Sequence, residues 1–123
     1  ISCGMFDEKI AALALEHSEK ILERNRKIVR DNLAILDHWV GEESHVSYVK
    51  PQAGTTALVY YDLPIDSYTF CEEMYKQTGA FVTPGDCFEQ SHSMRIGYAC
   101  DAEILKAGLC AVSEYIKMKL KVN

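Results

Sequence analysis

Phe81-Val-Thr-Pro-Gly-Asp-Cys-Phe88, followed six residues later by Met94-Arg95-Ile-Gly-Tyr-Ala99, decides how this chain is read. Two short apolar strands flank a Pro-Gly turn and a polar loop, and the second strand carries one arginine. Successive side chains of a strand point to opposite faces. Met94, Ile96 and Tyr98 therefore share a face that can pack. Arg95 falls on the other with Gly97 and Ala99, which have little bulk to cover it. A guanidinium is always charged, and its planar fork matches a carboxylate through two parallel hydrogen bonds. An arginine fixed on a strand with space above it reads as a carboxylate receptor. Pattern alone favours the plainer alternative, an arginine in a structural salt bridge or on an exposed strand.

Working outward, residues 7–40 contain no proline or glycine, and apolar residues recur at helical spacing. Ile10, Leu13, His17 and Ile21 begin a stripe that Ile28, Leu33, Leu36 and Val40 continue, and Gly41 is a stop signal. His17 on this stripe is expected to be packed. A helix over 7–40 would measure about 51 Å at the usual rise, whereas a compact chain of this length is roughly 35 Å across. Part of the stripe is expected to pack on something outside this sequence, unless the helix breaks near Ser18. Residues 46–50 and 56–63 are expected strands, the second rich in β-favouring side chains between Gly54 and Pro64. Asp66 can cap a helix to Thr78, with Phe70 and Met74 on one face and Gly79 ending it. Residues 80–83 and 94–99 form the opening strand pair. Asp101 can cap a last helix whose stripe is Leu105, Leu109, Val112, Ile116 and Leu120, and Lys117, Lys119 and Lys121 suit its C-terminus. The order predicts an α+β two-layer fold: a small, mostly antiparallel sheet of about four strands, helices on one face, and a long helix in front.

Pro84-Gly85-x-x-Phe88, a short loop and Arg95-Ile-Gly-Tyr-Ala99 resemble the C-terminal part of the aminotransferases related to aspartate aminotransferase, the fold-type I enzymes that use pyridoxal phosphate. The resemblance extends through Lys50-Pro51-Gln-Ala-Gly54 before a strand. It also takes in the helical run Arg24-Asn-Arg-Lys-Ile-Val-Arg-Asp-Asn-Leu-Ala-Ile-Leu36, and so covers most of the chain in family order. It implies that Arg95 binds the α-carboxylate of an amino-acid or 2-oxo-acid substrate, and that the full-length protein is a homodimer. One departure is Glu89, where the family often has glycine, so the loop over 89–93 is expected to be shaped differently.

With 123 residues, 48% hydrophobic and 25% charged, the chain has the composition of one globular domain. A net charge of −5 and the lack of any basic cluster interleaved with aromatics argue against nucleic-acid binding. No stretch approaches the ~20 apolar residues of a membrane span, and no signal-peptide pattern opens the chain. Cys3, Cys71, Cys87, Cys100 and Cys110 include no C-x-x-C pair, so a reduced, cytoplasmic protein is expected. Cys71, Cys100 and Cys110 read as small buried side chains. Cys87 near His92 lacks the further ligands of a metal site, and His38 and His45 share no ligand spacing either. Glu72 and Glu73 read as solvent-facing, and the Tyr60-Tyr61 pair as packing on the sheet.

Chemistry through pyridoxal phosphate needs a lysine to bond the cofactor, a partner for its ring nitrogen and a phosphate cradle. None of the nine lysines has a family-like setting, Lys50 included, and no glycine-rich loop leads into a helix. No catalytic, cofactor-binding or metal-binding residue is therefore expected here, and Arg95 alone is a substrate-binding candidate. Ile1 is not an initiator methionine. Residues 1–123 are thus expected to be the C-terminal small domain of a longer aminotransferase, inactive without its cofactor-binding domain. Two alternatives stand: a lyase of the same fold that cleaves carbon–sulfur bonds, and a stand-alone module that binds a small carboxylate without turning it over.

Overall fold

Alternation, β-favouring side chains and a bounding glycine make a strand of Thr56–Tyr61. Around it the chain runs α1 (Met5–Glu16), α2 (Ser18–Glu42), β1 (Val46–Tyr48), β2 (Thr56–Tyr61), α3 (Ser67–Thr78), β3 (Thr83–Pro84), a 3-10 turn (Gly85–Phe88), β4 (Ser93–Gly97) and α4 (Ala102–Val122). The structure, a computed structural model, describes residues 3–122. Ile1, on which the expectation of an upstream segment rests, lies outside the described residues.

The four strands form one antiparallel sheet in the order β1-β2-β4-β3. Its register places Val59 opposite Met94 and Ala57 opposite Ile96, so these side chains share one face. That face is buried by Leu36 of α2, Phe70, Cys71 and Met74 of α3, and Leu105, Leu109, Val112, Tyr115 and Ile116 of α4. Phe70 lies at the centre, stacked on Tyr61 with ring centroids 4.1 Å apart and edge-on to Tyr115 at 5.0 Å. The expected α+β architecture with an antiparallel four-stranded sheet is the observed one.

Caps fix the helix ends. Asp66 accepts the Thr69 backbone N–H at 3.0 Å, and Gly79 ends α3 in the left-handed conformation, φ 77°. Asp101 accepts the N–H groups of Glu103 and Ile104 at the start of α4. Buried polar ties then join helix to helix and helix to sheet. Asn32, 2% exposed, donates from Nδ2 to the carbonyls of Tyr98 at 2.7 Å and Cys100 at 2.8 Å. Trp39 donates to the Ser113 hydroxyl at 2.9 Å, and Ser113 donates to Glu43 at 2.7 Å.

The helical run breaks at His17, beside Ser18, the alternative to one long helix, so α1 and α2 are separate helices and α2 is the long one. Several expectations need correction. His17 is exposed rather than packed. None of the residues of α1 is buried, and Ile10, Leu13 and Ile21 are exposed, in line with the expectation that the domain does not cover the whole stripe itself. β3 comes later than residues 80–83 and includes Pro84, which an edge strand tolerates because its missing N–H removes no inner ladder bond. Gly85 opens a 3-10 turn instead of closing a Pro-Gly turn. β1 and β2 end before residues 50 and 63, and β4 covers 93–97 rather than 94–99. Leu120, near the end of α4, and Cys110 are exposed, and Cys100 is half-buried. Glu73 is not merely solvent-facing: it accepts the Tyr115 hydroxyl at 2.8 Å and pairs with Lys119, tying α3 to α4.

The contrast between the two ends of the helical run is measurable. Leu36→Ala, which empties a fully buried position, should destabilise the chain by about 2–5 kcal/mol. Ile10→Ala should change stability by no more than about 0.5 kcal/mol. Urea denaturation of both variants checks this, and comparable losses would mean that α1 is packed.

Candidate functional site

The packed side chains of β4 fix where its arginine goes. Met94 and Ile96 are buried against the helices, and Tyr98 beyond them is fully buried with its hydroxyl donating to the Gly54 carbonyl at 2.9 Å. Alternation then turns Arg95 onto the opposite, outer face of the sheet. β4 lies between β2 and β3, so Arg95 stands between Leu58 on one side and Thr83 on the other. Gly97 leaves the position beside it open, with nothing within 4 Å of where a Cβ would be. The Gly54 carbonyl that Tyr98 meets belongs to the Lys50–Gly54 segment, whose last residue has φ 96° and so needs glycine. Two separate stretches of the sequence resemblance thus meet at one strand.

The Arg95 guanidinium lies over the Phe88 ring, its Cζ 4.6 Å from the centroid, and Nη2 donates to the Thr83 hydroxyl at 3.4 Å. None of the ion pairs among the described residues includes Arg95. The structural-salt-bridge alternative thus finds no partner within these residues.

Phe88 ends the 3-10 turn, and that turn is braced from α3. The Ser67 hydroxyl accepts the Asp86 N–H at 3.0 Å and donates to the Asp86 carboxylate at 2.6 Å; Ser91 donates to the other oxygen at 2.9 Å. Gly85 is buried so tightly that a Cβ would overlap Ser93 Oγ and the Gln90 carbonyl oxygen. Glu89 follows with φ 58°, the left-handed conformation that glycine enters at little cost, as does His92 at 53°. The glutamate that departs from the family pattern therefore sits at a position whose backbone favours glycine.

The sequence marks Arg95 and the turn as candidates but not what holds them. Phe88 was legible only as a motif residue. Asn32 carried a signal: it lies four residues from both Ile28 and Leu36, so a polar side chain occupies a core position of the stripe and needs buried partners. Ser67 carried none, since its partner is brought in by the fold. Cys87 is exposed, 3.5 Å from the Tyr68 hydroxyl, and His92 does not join it in a ligand set. Among the described residues no group of three His, Cys, Asp or Glu side chains could hold a metal ion. No described helix is long and apolar enough to cross a membrane.

The residues present do not fit pyridoxal phosphate. Lys50 is spent on an ion pair with Asp37 at 2.5 Å, and Lys27, Lys76, Lys106 and Lys119 are likewise paired with carboxylates. No lysine lines either groove, the larger of about 430 Å³ between residues 78–82 and α4 or the smaller of about 330 Å³ beside Tyr68 and Tyr75. The N–H groups at the starts of α3 and α4 are taken by the Asp66 and Asp101 carboxylates, which would repel a phosphate.

This two-layer topology, with an outward arginine on an inner strand, is that of the C-terminal part of the fold-type I, pyridoxal-phosphate-dependent aminotransferase fold. It is similar to a PLP-dependent aminotransferase from Streptococcus suis 89-1591, with 40% identity and a TM-score of 0.89 over 94% of this chain and 31% of that one. It is also similar to the PLP-dependent cyclase OrfR, with 25% identity and a TM-score of 0.86 over 95% of this chain and 33% of that one. Capreomycidine synthase of Streptomyces vinaceus is 32% identical over 115 residues, 93% of this chain and 30% of that protein. No family model matches the sequence. The chain thus spans about a third of the length of the proteins it matches.

The brace beneath Phe88 has a pH signature. The hydrogen bond from Ser67, and after it that from Ser91, holds the Asp86 carboxyl below its ordinary value. A folded value below the unfolded one, about 3.9, contributes stability above that pH and loses it as pH falls through the folded value. Asp86→Asn should therefore be less stable than the unmodified chain near neutral pH, and the gap should close as pH falls from about 5 to below 3. Denaturation midpoints across that range test this; a gap independent of pH would remove Asp86 from the brace.

Proposed function

We propose that this chain is the C-terminal small domain of a pyridoxal-phosphate-dependent aminotransferase, and that Arg95 receives the substrate α-carboxylate. The observation that carries this reading is Arg95 itself. It is an exposed guanidinium on an inner strand, held over Phe88 and weakly to Thr83, with no ion-pair partner among the described residues. The likeness to aminotransferases supplies the reaction class: transfer of an amino group between an amino acid and a 2-oxo acid. The cofactor supplies the electron sink for that chemistry. Since residues of this chain do not fit it, the lysine and phosphate site belong to a cofactor-binding domain outside residues 1–123, and this chain alone is inactive.

Within this division of labour, Arg95 contributes orientation. Two parallel hydrogen bonds to one carboxylate fix both the position and the plane of the group, which a lysine ammonium cannot do. Every amino-acid or 2-oxo-acid substrate carries that carboxylate, so Arg95 acts alike on all of them. A second reading is favoured by the likeness to a PLP-dependent cyclase: the same carboxylate clamp serving another reaction of the cofactor, a cyclisation.

Arg95→Lys in the enzyme that contains this chain keeps the charge and loses the fork. Charged hydrogen bonds contribute on the order of 1.5–3 kcal/mol each, so kcat/KM should fall at least about tenfold. The loss should extend to every amino donor, with the cofactor absorbance spectrum unchanged. Steady-state kinetics on several donors test this, and unchanged kcat/KM for all of them would return Arg95 to a structural role.

A further inference from the structure

The geometry points to Phe88 as the positioning residue for Arg95, a role that rests on Arg95 being the carboxylate receptor. An arginine on an outer sheet face has a long flexible stem, and a receptor needs its head held still before the ligand arrives. An acidic partner would hold it but would also occupy the donors and compete with the substrate. Phe88 avoids that conflict. With Cζ 4.6 Å from the ring centroid, inside the ~6 Å reach of a cation–π contact, the ring attracts the charge through its face. This contact consumes none of the five N–H donors of the guanidinium. Among the described residues the head makes one donation, the long one to Thr83 at 3.4 Å, which a carboxylate can displace.

Phe88 is itself 41% exposed, so filling the core is not what its ring does. Its backbone is bracketed instead. Gln90 N–H donates to the Gly85 carbonyl at 3.1 Å and Glu89 N–H to the Asp86 carbonyl at 3.2 Å, closing the turn on either side of the ring. Ser67 anchors that turn to α3. The ring is thus fixed by the turn, and the guanidinium by the ring.

The test uses Phe88→Leu, which keeps an apolar side chain and removes the π face, and Phe88→Tyr, which keeps the face. In the 123-residue chain, the Arg95 side-chain Nε–Hε signal should carry an upfield ring-current shift that Phe88→Leu abolishes and Phe88→Tyr retains. In the enzyme that contains this chain, dissociation constants are measured with L-alanine, L-leucine and L-glutamate as probes. Phe88→Leu should weaken all three by about threefold to tenfold, with Phe88→Tyr near the parent value. Arg95→Lys is the control that separates the two claims. If Arg95→Lys weakens the probes and Phe88→Leu does not, the positioning role is wrong and the carboxylate reading stands. If neither variant matters, both fall together. Equal losses in Phe88→Leu and Phe88→Tyr would overturn the π-face contact in favour of simple packing.

Discussion

A strand cannot bury one residue without exposing the next. Met94 and Ile96 are held in the core beside Val59 and Ala57, and Tyr98 is sealed there by its hydrogen bond to Gly54. Sliding β4 by a single residue would drive the Arg95 guanidinium into that core, where an unpaired charge costs several kcal/mol or more. The register is therefore strongly specified, and with it the face from which Arg95 emerges. The proposed carboxylate site depends on that constraint. The Asn32 carboxamide adds to it by gripping the backbone at Tyr98 and Cys100, which ties α2 to the segment just after the Arg95 strand.

Around that strand, the structure divides its polar contacts between bracing and availability. Asp86, Ser67 and Ser91 satisfy one another beneath the 3-10 turn, Glu73 ties α3 to α4, and Asp37 accepts both Tyr48 and Lys50 at the sheet's far edge. None of the ion pairs among the described residues includes Arg95. Arg95 is left with an aromatic face and one long hydrogen bond. An always-charged group with so few partners retains most of its hydrogen-bonding capacity for a ligand.

The parts legible in the sequence were those governed by local rules. The caps at Asp66 and Asp101, the stop at Gly79 and the alternation around Arg95 each depend on a few adjacent residues and reappear as expected. The parts that were not legible depend on what a residue meets across the fold. The apolar residues of α1 have helical spacing and stay exposed, as the length of the helical run implies for Ile10 and Leu13, whereas periodicity overstated the burial of His17. Leu120 has the right spacing too, but lies near the end of α4 and stays exposed. The stacking of Arg95 on Phe88 joins two segments through a loop whose left-handed residues are a glutamate and a histidine, and no residue type announced that geometry.

The central claim is that Arg95 is kept free of carboxylates within its own domain so that a substrate can provide one. A crystal structure of the enzyme that carries this chain, soaked with an amino-acid substrate analogue, tests it most directly. The account predicts both α-carboxylate oxygens about 2.7–2.9 Å from the Arg95 guanidinium nitrogens, in the parallel two-bond arrangement. An Arg95 paired with an aspartate or glutamate from another part of the polypeptide, with the ligand carboxylate held by a different cation, would contradict it.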